Sequence, residues 1–464
     1  MTNARSPDLP SAPPPARPAS DVSPWVGLAG LAGLFAWIAI CRNWPAIADA
    51  FGIPGPRARL DGPYAAVTAM LFSTLPMVSV SLLVDKVHLR PSTGIDWTLA
   101  RSLAETRRVS LVKLAGLWAT WAILAGIYAL GRWYWDGQYL FAMGVLKAAA
   151  IPLFVLSVPY VLWLDRYMVN PRDHAWHFGA MLLGREAHDF EEVKRHWRAW
   201  IIKGFFGAFM ISILPPGFEA AVNADFSGIL GDPAMLGMVL IGMLFLVDVQ
   251  IGTVGYLVTF RPLDAHIRSG NPYLAGWIAA LMCYPPFVFA FMGSGLLGYE
   301  FGTPGQGDAN WTFWLQGQPL LLWLWAGVLV FLTGVYAWAT FAFGLRFSNL
   351  TYRGVLTNGP YRFTRHPAYL SKNAFWWLST LPFMVTNASA TDAVRNVICL
   401  LAVNAIYYWR ARTEEEHLWH EDAKYRAYHA WMSDHGLITA PLVRIKRRLG
   451  VRVRGFDSVP QPAE

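Results

Sequence analysis

The sequence predicts an all-α fold: a polytopic membrane bundle of about ten helices, closing with a C-terminal helical hairpin and a cytoplasmic amphipathic helix. Three observations predict it. Charged residues are 15% of the 464 and hydrophobic residues 55%, whereas soluble domains average about 25% charged. The apolar residues fall in separated runs, each about as long as the roughly 20 residues a helix needs to cross the hydrocarbon layer. Tryptophan occurs 23 times, and its ring is favoured at membrane interfaces, where the body is buried and the N–H stays wet.

The chain opens on a stretch rich in Pro, Ala and Ser, residues 1–23, with Pro13-Pro14-Pro15 and no apolar period. It reads as a disordered tail. It lacks the basic start and immediate apolar run of a cleavable signal, so the first helix is expected to be retained. Ten apolar runs follow, at 24–41, 63–84, 111–131, 141–164, 199–216, 233–260, 273–298, 318–344, 374–387 and 392–409. The last two are joined only by Asn387-Ala388-Ser389-Ala390, a link that predicts a tight hairpin.

The net charge is +8, yet the positives do not point to nucleic acid. They sit in short loops beside apolar runs, at 85–113, 165–203, 345–372 and after 409, as the positive-inside bias requires. Alternate loops, 132–140, 217–232 and 299–317, are short or carry acids such as Glu219, Asp225, Glu300 and Asp308. Both termini are therefore expected in the cytoplasm. The loop 42–62, with Arg42, Arg57 and Arg59, is the exception. Cys41, Cys283 and Cys399 lie far apart in apolar stretches and suggest neither a disulfide framework nor a metal site. His174, His177, His188 and His196 fall in a segment read as a solvated basic loop, because no second pair has ligand spacing. Asp248, in the middle of an apolar run, is a functional candidate or the partner of a neighbouring cation.

Chemistry concentrates near the end. Asn358-Gly359-Pro360 is a turn signal, and Pro367 disfavours a helical His366. Tyr361, Arg365, His366 and Tyr369 are thus expected to be presented from a short irregular or helix-entry segment at the membrane surface. After the hairpin come Glu414-Glu415-Glu416, then Leu418, Tyr425 and Tyr428. A hairpin would bring the cationic-aromatic cluster and the acidic cluster to one cytoplasm-facing cleft. Such a cleft suits a zwitterionic cofactor: guanidinium or imidazole for a carboxylate, carboxylates for hydroxyls or an amine, rings for an aromatic base.

These residues resemble the isoprenylcysteine carboxyl methyltransferase and phospholipid methyltransferase superfamily. The shared pattern reads here as Gly359-Pro360-Tyr361, Arg365-His366-Pro367 and Tyr369, a hairpin, then Glu414-Glu415, Leu418, Tyr425 and Tyr428. The resemblance covers roughly 350–440. It implies S-adenosylmethionine as cofactor, bound by Tyr361, Arg365, His366, Pro367, Tyr369, Glu414, Glu415 and Tyr425. It also implies methyl transfer to a lipidic or lipidated acceptor, with membrane lipids as partners. Catalytic candidates are His366, Glu415 and Arg365, a base being needed only if the acceptor is protonated. Ser371-Lys372 stands where the family commonly has glycine, a departure expected either to narrow the cofactor cleft or to add a cation for an anionic acceptor. Asp422-Ala423 stands near the place of a usual Phe-Gly pair. The rivals are an NADPH-dependent reductase of sterol-reductase-like layout and a transporter or scaffold with a non-catalytic module. The expected organisation is the tail 1–23, a membrane bundle 24–317, the methyltransferase-like module 318–445, and a basic then flexible tail 446–464.

Overall fold

Helix after helix follows from capped, apolar segments. The computed structural model describes residues 16–131, 136–184, 186–288, 296–298 and 309–450. The first half holds α1 (Pro24–Arg42), α2 (Trp44–Ala50), α3 (Pro63–Ser79, prolonged by a π turn to Val84), α4 (Leu103–Gly131), α5 (Gln138–Leu164), α6 (His174–Leu183) and α7 (Phe190–Asn223). The second holds α8 (Pro233–Leu257), α9 (Leu274–Leu281), α10 (Trp311–Trp314), α11 (Pro319–Phe341), α12 (Pro367–Thr380), α13 (Ala390–Glu421), α14 (Ala423–His435) and α15 (Thr439–Arg448). Ser23, Asp173, Asp189, Asp232, Ser389 and Asp422 each accept first-turn amide hydrogens, and proline opens α1, α3, α8, α11 and α12.

Among the described residues, eight helices are long and apolar enough to cross a membrane: α1, α3 with its extension, α4, α5, α7, α8, α11 and α13. The expected runs at 273–298 and 374–387 account for the difference from ten. The first is described as a helix only over Leu274–Leu281, and residues 289–295 lie outside the described residues. The second is the upper part of α12, whose 14 residues extend about 21 Å at 1.5 Å per residue, short of the ~30 Å hydrocarbon layer. The hairpin therefore has one short arm and one of 32 residues. Leucine, isoleucine and phenylalanine side chains project outward from the bundle, as Ile151, Leu153, Phe154 and Leu156 do on α5. Lipid is the solvent that tolerates them.

Contacts between loops sort them into two faces. Asp96 N–H donates to Tyr167, Arg261 pairs with Asp173, Arg346 with Asp264, and Lys424 with Asp21. The segments 85–102, 165–189, 258–272, 342–366 and the region after α13 thus share one face, and these are the basic loops of the sequence. On the other face Arg42 donates to the carbonyls of Ala221 and Val222, and Asn223 to Asp61. Most of the 299–317 loop, with Glu300 and Asp308, lies outside the described residues, as do residues 1–15 and 451–464.

Two expectations need revision. Residues 16–23, read as part of a structureless tail, form a strap over the basic face. Asp21 N–H donates to the Val355 carbonyl, Val355 N–H returns a bond to the Asp21 carboxylate, and Thr357 donates to the Pro18 carbonyl. Nor is 165–198 simply a solvated loop. His196 is buried on α7, against Thr120 at 2.7 Å and His174 at 3.2 Å. Helical periodicity from Asp189 onward turns that histidine inward, an effect invisible to a count of ligand spacings. Among the described residues no group of three or more His, Cys, Asp or Glu is arranged to hold a metal ion.

Candidate functional site

Below the hairpin, on the basic face, the loops 343–372 and helices α13 and α14 enclose a cavity of about 1290 Å³, part of it open to solvent. Its walls include Tyr361, Arg365, His366, Tyr369, Arg410, Glu414, Leu418, Tyr425 and Tyr428. The clusters at 361–369 and 410–428 do meet. A short turn at Gly359–Arg362 presents Tyr361, and Pro367 at the first position of α12 leaves His366 outside the helix.

Glu415 joins the two clusters. Its Oε1 accepts from Arg365 Nε at 2.7 Å and from His366 Nε2–H at 2.9 Å, and its Oε2 from Arg412 at 3.1 Å. The carboxylate is buried behind the cavity wall and does not line it. It orients Arg365 and His366 toward the space. Pro367 is likewise buried outside the lining and serves to start the helix. Glu414 does face the cavity: its Oε1 accepts from the Tyr369 hydroxyl at 2.5 Å and Arg410 Nε at 3.3 Å. Its second oxygen has no protein partner among the described residues. The His366 and Tyr369 rings are parallel, 5.7 Å between centres.

Tyr425 and Tyr428 close the cavity from α14, the Tyr428 hydroxyl donating to the Tyr361 carbonyl at 2.5 Å. Burial and the neighbouring Glu415 carboxylate push the Tyr425 hydroxyl well above its ordinary pKa, so it remains a neutral donor.

Several wall residues carried no motif. Arg410 is buried over the rings of Tyr284 and Tyr369, at 5.6 and 5.1 Å, and donates to Asn349 at 2.5 Å. Its signal was present in the i,i+4 spacing to Glu414, which places both on one helix face. Deeper in, Lys372 sits among the rings of Tyr336, Trp376 and Tyr407, 5.2 to 5.9 Å from their centres. Tyr336 and Thr340 donate to the Asp248 carboxylate at 2.8 and 2.5 Å. Asp248 is thus held by hydroxyls next to the cavity, with Tyr336 shared between it and Lys372.

The floor comes from outside the motif. Ser269 and Gly270 (β1) pair antiparallel with Tyr352 and Thr351 (β2), and Ser269 bonds His417 at 2.9 Å. Arg353, fully inside, donates to the carbonyls of Gly255, Phe347, Leu345 and Ala265. Arg346 reaches Asp264 at 2.6 Å. Gly255 permits this: a Cβ there would lie 2.3 Å from the Phe347 carbonyl oxygen.

No curated protein and no solved structure matches the chain. A family model does match, over a stretch that starts in α11 and ends in the last turn of α13. It contains Tyr361 through Glu415 and leaves out Tyr425, Tyr428, the β1 segment and the strap. The C-terminal module is similar to the isoprenylcysteine carboxyl methyltransferase (ICMT) family, whose model matches residues 321–420, a likeness that supports a membrane methyltransferase in general.

Proposed function

We propose that the protein transfers a methyl group from S-adenosylmethionine to a lipidic or lipidated acceptor at the cytoplasmic face of the membrane. One observation carries this reading: guanidinium, imidazole, carboxylate and phenol groups from both motif clusters converge on a single cavity next to the lipid-facing hairpin. The family match supports the reaction class, and the basic loops on the cavity's face support its sidedness.

The residues present fit the cofactor. The cavity wall offers both signs of charge. Arg365 and Arg410 would hold the carboxylate, the unpartnered Glu414 oxygen a hydroxyl or the amine, and the rings of His366 and Tyr369 the adenine face. The cofactor, when bound, supplies a methyl group already activated by its sulfonium charge. The chain's own task is then to orient both partners in line and to exclude water. Lys372, a cation ringed by aromatics within the same cavity, disfavours a cationic acceptor and favours an anionic one.

Binding of radiolabelled S-adenosylmethionine and of NADPH to the purified protein tests the proposal. Saturable binding of the first, lost in Arg365→Ala and Glu415→Ala at unchanged helicity and elution volume, is the expected result. Binding of NADPH alone would replace the proposal with a reductase. Binding of neither, alongside acceptor-dependent flux in vesicles, would replace it with a transporter.

A further inference from the structure

A second cavity opens on the same face, within the N-terminal bundle, where no motif was read. It offers about 730 Å³ of space, part of it open to solvent, between α4, α5, α6, α7 and the segment after α8. Its charged and imidazole walls are Lys113, Lys203, Arg261, Asp173, His174 and His266, with Asp165 beside them.

The charges there do not cancel. Asp165 is committed to Lys113 at 2.5 Å and to the Ser110 hydroxyl at 2.8 Å. Asp173 uses one oxygen to cap α6 and the other to reach Lys113 at 3.3 Å and Arg261 at 3.5 Å. Two carboxylates therefore serve two of the three cations. Lys203 is left with no carboxylate within ion-pair distance among the described residues, only the face of Trp200 at 4.3 Å. The imidazoles add no charge: burial and the nearby cations hold His266 well below its usual pKa, and burial, outweighing the Asp173 carboxylate, brings His174 down to about 4. A neutral imidazole is a donor and an acceptor, and His266 Nδ1 is buried with no hydrogen-bond partner. A cation one to several turns inside a membrane helix is costly unless something compensates it. Beside these groups the cavity presents Leu117, Val161 and Leu164 from α4 and α5, the helices with the most outward apolar surface nearby.

We propose that this cavity binds a phosphate-type anion through its phosphoryl oxygens, held by Lys203 with His266 and Arg261 as neighbouring donors. The anion supplies the ion-pair partner that Lys203 lacks, and charge-assisted bonds to it satisfy groups that the chain leaves unmatched. A phospholipid headgroup and a free phosphate share this chemistry. The proposal does not depend on methyl transfer, since none of these residues lines the first cavity.

The test uses full-length protein, delipidated in a non-ionic detergent and titrated with dioctanoyl phosphatidylglycerol, dioctanoylglycerol or inorganic phosphate. Binding is read by native mass spectrometry and thermal shift. Saturable binding of phosphatidylglycerol but not of dioctanoylglycerol, weakened about tenfold in Lys203→Met and unchanged in Lys147→Met, is expected and assigns a lipid source. Saturable binding of inorganic phosphate alone, with the same loss in Lys203→Met, also upholds the site and assigns a soluble source. Equal binding of phosphatidylglycerol and dioctanoylglycerol with none of phosphate overturns it, and this comparison needs no variant. Binding indifferent to both Lys203→Met and His266→Phe overturns it as well.

Discussion

Lys372 is the residue whose replacement separates binding from acceptor choice. Its ammonium faces the first cavity but makes no ion pair with Glu414 or Glu415. Lys372→Met keeps volume and removes the charge. Cofactor affinity is expected to stay within about threefold, while methylation of anionic acceptors from a membrane-lipid extract falls by tenfold or more, about 1.4 kcal/mol in transition-state free energy. Mass spectrometry of the products checks both halves. Gly354 permits the opposite kind of test, of backbone and not of charge. Its φ of +115° lies where side chains are rarely found, and a Cβ would sit 2.5 Å from Arg346 Nη1 and 2.8 Å from the Asp21 carboxylate. Gly354→Ala should destabilise by about 1–3 kcal/mol, seen as a lower melting temperature with a weakened strap.

At the level of elements, the hairpin was legible because its evidence is local: two neighbouring apolar runs, a proline that ends the irregular segment, and an acidic cluster one helix length away. The link is residues 381–389 and not the four residues expected, since α12 stops at Thr380. The β1–β2 ladder was not, since a two-residue pairing between positions 269 and 352 leaves no alternation to read. The strap was misread for a related reason. Its order comes from backbone bonds to Val355 and Thr357, more than 300 residues away, and not from apolar content of its own. His196 was hidden by the same distance effect, its partners Thr120 and His174 being set by helix packing.

The strap also carries a pH dependence. Burial works to raise the Asp21 carboxyl, but Lys424 and the Val355 N–H outweigh it and hold the group below its ordinary value of 3.8. Since the folded value is the lower one, the stabilisation is fully present above pH 3.8 and is lost as pH falls through the folded value. Wild type should therefore exceed Asp21→Asn in melting temperature at neutral pH, and the gap should close only in strong acid. Equal melting temperatures of the two proteins at neutral pH would remove Asp21 from the strap's anchoring.

On the scale of the whole molecule, the bundle sorts its described loops by charge. In a cysteine-free background, Glu191→Cys on the basic face should react with an impermeant maleimide only after the membrane is opened. Ser227→Cys, in the loop before α8, should react in intact cells. Reversal of the two would turn the molecule over, and with it the compartment that feeds the first cavity.

Arg346 and Arg353 have a bearing on how such a molecule can be divided. Both belong to the matched C-terminal stretch, yet the groups that neutralise or cradle them, Asp264 and the carbonyls of Gly255 and Ala265, belong to the preceding one. A graft of residues 318–464 onto an unrelated anchor would leave Arg346 without the Asp264 carboxylate and Arg353, of its carbonyl partners, with only those of Leu345 and Phe347. Replacing Asp264 alone would leave Arg346 a buried charge without its carboxylate partner.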